Sequence, residues 1–94
     1  MIIGICLLDI HISQSQSLKN KRMVIKAIKD SLRNRFNISI AEVEFQDLWQ
    51  RSKLAVVAVS NQKKVVERIF SSILQHIESN GDCELNHIET EFIY

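Results

Sequence analysis

Residues 2–12 read IIGICLLDIHI. The even positions Cys6, Leu8, Ile10 and Ile12 are apolar. The odd positions begin apolar at Ile3, Ile5 and Leu7, then turn polar at Asp9 and His11. Side chains alternate faces along a strand, so this stretch predicts a strand buried on one side and partly covered on the other. Such a strand belongs in the middle of a sheet. Residues 53–60, KLAVVAVS, repeat the pattern, with Leu54, Val56 and Ala58 on one face and Ala55, Val57 and Val59 on the other. Two strands apolar on both faces predict a central pair.

The elements around that pair follow from punctuation and period. The polar loop SQSQS occupies residues 13–17, and Ser17 is placed to cap a helix running from about Leu18 to Phe36. Ile25, Ile28, Leu32 and Phe36 keep a 3.6-residue period and face the core, with Asn37 as a left-handed stop. Residues 38–45 are a second strand whose apolar parity changes near Ala41 and Glu42, which predicts a bulge there. Residues 46–52, QDLWQRS, are a connection expected to hold one helical turn capped by Asp47. A second helix spans about Gln62 to Ser79, capped by Ser60 or Asn61. Its apolar stripe is Val66, Ile69, Phe70, Ile73 and Ile77, and Asn80-Gly81 ends it with a positive φ at the glycine. Residues 82–94 form the last strand, again with a slip of parity, between Leu85 and Ile88.

The order is βαββαβ. Right-handed crossovers and a hairpin between the middle strands predict an α+β sandwich of ferredoxin-like type, with antiparallel sheet order 4-1-3-2 and both helices on one face. Ninety-four residues make one domain, 1–94. The N-terminal run lacks a basic leader and is interrupted by Asp9, so it reads as a strand and not as a targeting segment, and the protein is expected to be cytoplasmic. Cys6 and Cys83 match no metal spacing and fall out of register with each other, so two free thiols are expected.

Charge is the feature that bears on function. The formal net charge is +1, yet residues 17–36 hold seven of the twelve bases and only Asp30 among eleven acids. Lys19, Arg22, Lys26, Lys29 and Arg33 fall within about 80° on a helical wheel and make one stripe. With Lys21 they are the candidate contacts for RNA phosphate. Like charges at this spacing, and cations in a first turn, are locally unfavourable. Three accounts are open: a solvated face, pairing with the acidic last strand of another subunit, or phosphate contact. Trp49 and Arg51 are candidate interface residues, as are Ile3, Ile5 and Leu7, which the two helices would leave uncovered. An uncovered apolar sheet face predicts a homodimer. The aromatic motifs of an RNA-recognition sheet are absent, so structured RNA is expected over single-strand reading. No nucleophile motif, phosphate-binding glycine loop, metal spacing or cofactor motif is present, and an enzyme is not expected. The alternative is a dimeric protein-interaction or small-ligand regulatory module without nucleic acid.

The strand ending in DIHI, the helix start SLKNKR, the segment NRFNISIAEVEFQDLWQRS and VVAVSN before the second helix together resemble the YlxP-like family of small bacterial proteins. The resemblance spans essentially the whole chain, although SQSQS departs from the family's Pro- and Gly-containing loop. It implies a ferredoxin-like fold, a bacterial cytoplasm and genes set among those of translation and ribosome maturation. It implies no activity and no catalytic residue. The role it suggests is association with RNA or the ribosome, with ribosomal RNA or a ribosomal subunit as partner.

Overall fold

The computed structural model describes residues 1–94. Six elements follow in the order β1 (Ile2–His11), α1 (Leu18–Arg35), β2 (Ser39–Glu44), β3 (Arg51–Ser60), α2 (Lys63–Glu78) and β4 (Glu84–Ile93). The four strands form one antiparallel sheet in the order β2-β3-β1-β4, which is 4-1-3-2 from the other edge. β1 and β3 are the central pair, joined in continuous register from Ile2 opposite Ser60 to His11 opposite Arg51.

Alternation decides which face is covered. Gly4, Cys6, Leu8 and Ile10 on β1 and Leu54, Val56 and Ala58 on β3 are buried. All of these but Gly4 form a single core cluster with Ile25, Ile28 and Leu32 of α1 and Val66, Phe70, Ile73 and Ile77 of α2. Both helices therefore lie on one face. α2 approaches so closely over β1 that a Cβ on Gly4 would sit 2.3 Å from a Val66 methyl and 2.9 Å from the Phe70 ring. The odd positions Ile3, Ile5 and Leu7 are half-buried on the other face.

Both expected phase changes are bulges. The β2–β3 register shifts between Glu42 and Glu44, leaving Val43 over. The β1–β4 register passes from Asp9 opposite His87 to Ile10 opposite Leu85, leaving Asn86 over. An extra residue turns the next side chain to the opposite face. That is how Leu85 and Ile88 serve the same side despite opposite parity.

Several local expectations are corrected. Asn37 is not left-handed, and α1 ends with Phe36 in an extended conformation, its N–H donating to the Leu32 carbonyl. Gly81 has no positive φ; α2 closes with Ser79 in a right-handed conformation whose N–H reaches Gln75. α2 has no side-chain cap, the Ser60 hydroxyl accepting from the Gln62 N–H just outside it. Residues 46–50 are turns and not a helical turn, and β3 begins at Arg51. The reason is Phe45, the one non-glycine residue with positive φ, at 66°. A left-handed residue there reverses the chain at once, and the Leu48 N–H closes the turn on the Phe45 carbonyl at 3.1 Å. The Ser17 cap is present, accepting from the Asn20 N–H at 3.0 Å. Cys6 and Cys83 are free and buried.

Candidate nucleic-acid interface

α1 carries the site, and its geometry follows from two interleaved spacings. Lys21, Ile25, Ile28 and Leu32, spaced four, three and four, are its buried residues. Lys19, Arg22, Lys26, Lys29 and Arg33 form a second row centred about 110° around the helix from the first. This row flanks β2, the sheet's edge strand, because the Arg33 guanidinium donates to the Ile40 carbonyl at 2.8 Å. At a rise of about 1.5 Å per residue the row runs about 21 Å.

The row is only partly neutralised. Asp30 lies 2.7 Å from Lys26 and 3.7 Å from Arg33, and hydrogen bonding to Lys26 holds its carboxyl below the usual range. Lys19, Arg22 and Lys29 make no salt bridge. The first turn of α1 contains no acid. Five cations thus face one carboxylate; neighbouring like charge disfavours the row, and the helix dipole disfavours its N-terminal end at Lys19, while Arg33 lies in the last turn, where the dipole favours a cation.

Lys21 does not belong to that row, and its assignment to phosphate is corrected. It is fully buried. Its ammonium meets Glu42 at 2.6 Å and donates to the Phe45 carbonyl at 2.7 Å and, more weakly, to that of Gln46 at 3.4 Å. Ser52, also fully buried, donates to the same Glu42 oxygen at 2.6 Å. Glu42 points into the layer between sheet and helix, where it faces Leu54 across the strands beside the Val43 bulge. A buried charge persists only when its hydrogen-bonding capacity is met. Here it is met, with no buried side-chain nitrogen or oxygen left unpaired. Phe45, Glu42 and Ser52 were not singled out from sequence as a unit. The available signal was Lys21 standing in phase with Ile25, Ile28 and Leu32, a position a solvated lysine does not take.

The consequence is a clamped loop at the N-terminal end of α1. Lys21 holds the carbonyls of Phe45 and Gln46, and the Gln50 amide donates to the carbonyls of Ser13 and Ser15 at 3.0 and 3.1 Å. The Arg51 guanidinium lies 4.0 Å from the centre of the Phe45 ring and pairs with both oxygens of Asp9, at 3.2 and 2.7 Å. Those hydrogen bonds hold the Asp9 carboxyl below its ordinary range and raise Arg51. A bulky residue held left-handed costs about 1–3 kcal/mol and survives only where its surroundings fix it. At the loop's crest Leu48 and Trp49 are exposed, Trp49 by 54%.

The uncovered sheet face lies on the opposite side. Ile3 sits between Val59 and Ile93, Ile5 between Val57 and Glu91, and Leu7 between Ala55 and Glu89. The result is an apolar patch with an acidic margin on β4. The three histidines do not converge: His87 pairs with Glu89 of its own strand at 3.2 Å, and no three metal-ligating side chains cluster. No helix is long and apolar enough to cross a membrane.

Among solved structures, the chain is similar over its whole length to a de novo designed protein, Foldit4, covering 98% of it at a TM-score of 0.57 and 13% identity. That likeness concerns the fold alone. A weaker one, at a TM-score of 0.45 and 9% identity, is to the C-terminal domain of a cyclometallase involved in synthesis of the NPN cofactor of lactate racemase. In sequence, the chain is 35% identical over 91 residues to the uncharacterised protein YlxP of Bacillus subtilis (strain 168), covering 97% of this chain and 99% of that one. Residues 3–90 match a family model described as a protein of unknown function, DUF503. The chain belongs to the DUF503 family, to which the family resemblance in its motifs already pointed.

Proposed function

We infer that this chain is a ferredoxin-like, cytoplasmic binding factor, and not an enzyme, that engages ribosomal RNA or a ribosomal subunit through its phosphate backbone. The observation that carries the reading is the α1 ridge: Lys19, Arg22 and Lys29 lie in one row without a carboxylate partner, and Lys26 and Arg33 share a single Asp30. A duplex phosphate backbone supplies what the ridge lacks, a line of negative charge matching about 21 Å of helix. Cations on backbone phosphates give affinity and orientation with little sequence discrimination. The expected experiment is fluorescence anisotropy with ribosomal RNA fragments. The triple variant Lys19→Glu, Arg22→Glu, Lys29→Glu should lose at least tenfold in affinity, and unchanged binding would reject the reading.

The open sheet face adds a second element, a homodimer. Three strands of ten residues and one of six, about 4.8 Å apart, present roughly 550 Å². That approaches the roughly 800 Å² per partner of a standard interface. Its centre, Ile5, Leu7 and Val57, is apolar and only half-buried, and a second copy of the same patch is its own complement under two-fold symmetry. Should the dimer form and RNA fail to bind, the protein is instead a dimeric interaction or small-ligand module.

A further inference from the structure

We propose that the clamped loop 45–50 is a nucleobase-stacking site, at which Trp49 receives an unpaired base of an RNA whose flanking phosphates lie on the first turns of α1. The proposal rests on the phosphate-binding reading and names what lies beyond the backbone: a bulged or looped nucleotide beside a duplex.

Four observations meet here. Trp49 is the only tryptophan, and it is more than half exposed on a loop where Leu48 is exposed too. The loop is nevertheless rigidly built: a left-handed Phe45, a fully buried lysine on its carbonyls, a glutamine amide on two carbonyls of the β1–α1 loop, and an arginine stacked on the Phe45 ring. Backbone strain and buried charge concentrated under an exposed aromatic mark a segment held for presentation. The groove at its foot is shallow and open, about 540 Å³, lined by His11, Leu48, Trp49, Gln50 and Arg51. Stacking needs one free ring face, which the half-exposed Trp49 supplies beside this open groove. Finally, Lys21 ties the loop to the first two turns of α1, the same turns that carry Lys19 and Arg22 on their outer side. Arg51 is occupied by Asp9, and Asp47 is the acid of the loop. Phosphates flanking the base are therefore met from the α1 side.

The lone tryptophan is its own reporter. The full chain is titrated with two RNAs of equal phosphate count, a continuous duplex and the same duplex carrying one unpaired purine, and both tryptophan emission and affinity are read. The bulged RNA should quench Trp49 and bind about tenfold more tightly, within the range that one stacked base contributes. Trp49→Ala should bring the bulged RNA down to the duplex affinity while leaving duplex binding and its salt dependence unchanged. Trp49→Phe should keep part of the preference. Equal affinities for the two RNAs, with no quenching, overturn the stacking site and leave the ridge standing. A protein ligand that quenches Trp49 where bulged RNA does not assigns the loop to protein and also overturns it. Binding of neither RNA removes the ridge reading and this one with it.

Discussion

An ammonium with no surface in water has only the partners the fold provides, and at Lys21 these are Glu42 and two main-chain carbonyls. Removing one member of such a pair leaves the other charge stranded. Lys21→Met should lower stability by about 2–4 kcal/mol, somewhat under the fully buried case because Glu42 keeps slight exposure. Adding Glu42→Gln should restore part of that loss. Urea denaturation of the single and double variants measures both, and equal stabilities across the set would contradict the account. Asp9 gives the pH prediction. Its folded carboxyl is held below its ordinary value, chiefly by hydrogen bonding to Arg51. A depressed acid contributes stability that is present above its unfolded value and lost as pH falls through the folded one. Stability should therefore drop below about pH 4, and the drop should be shallower in Asp9→Asn, as followed by thermal melts between pH 5 and pH 2.

At the scale of elements, α1 carries two instructions at once. Its buried row makes it fold against the sheet; its charged row works against it. Reversing Lys19 and Arg22 to Glu places acids where the helix dipole favours them, each worth about 0.3–1 kcal/mol. We expect the double variant to melt higher than the natural sequence while binding RNA more weakly. A ridge with a purely structural role would show the opposite, a loss of stability. The same helix shows where sequence was legible. The strand pair at 2–12 and 53–60, the helix periods and both bulges could be read because burial enforces period and parity. Lys21 is the exception: along the chain it counts among the cations, but around the helix it stands in phase with Ile25, Ile28 and Leu32. Asn37 and Gly81 depart from expectation because residues that tolerate a left-handed turn do not require one. Phe45, which does adopt it, has no composition that announces it; it is held by Lys21, distant in sequence, and by Arg51 at the far end of the same loop.

For the whole molecule, the two faces of the sheet have separate tasks: one builds the core, the other is left apolar at its centre and acidic along β4. Leu7→Lys, at the middle of the open face, should leave the fold intact and convert dimer to monomer in sedimentation velocity at tens of micromolar. A natural protein that is already monomeric there would remove the dimer from the account. Neither face of the sheet bears the ridge, so dimerisation and phosphate contact are compatible. The central claim is that α1 meets nucleic-acid phosphates, and counterion release tests it most directly. The affinity for a ribosomal RNA duplex is measured across a range of salt concentrations. With three to five cations engaged on a duplex, the slope of log affinity against log salt should be about −3 to −4.5, and Arg22→Glu should make it shallower by about one. A flat response, or a slope indifferent to Arg22, would contradict it.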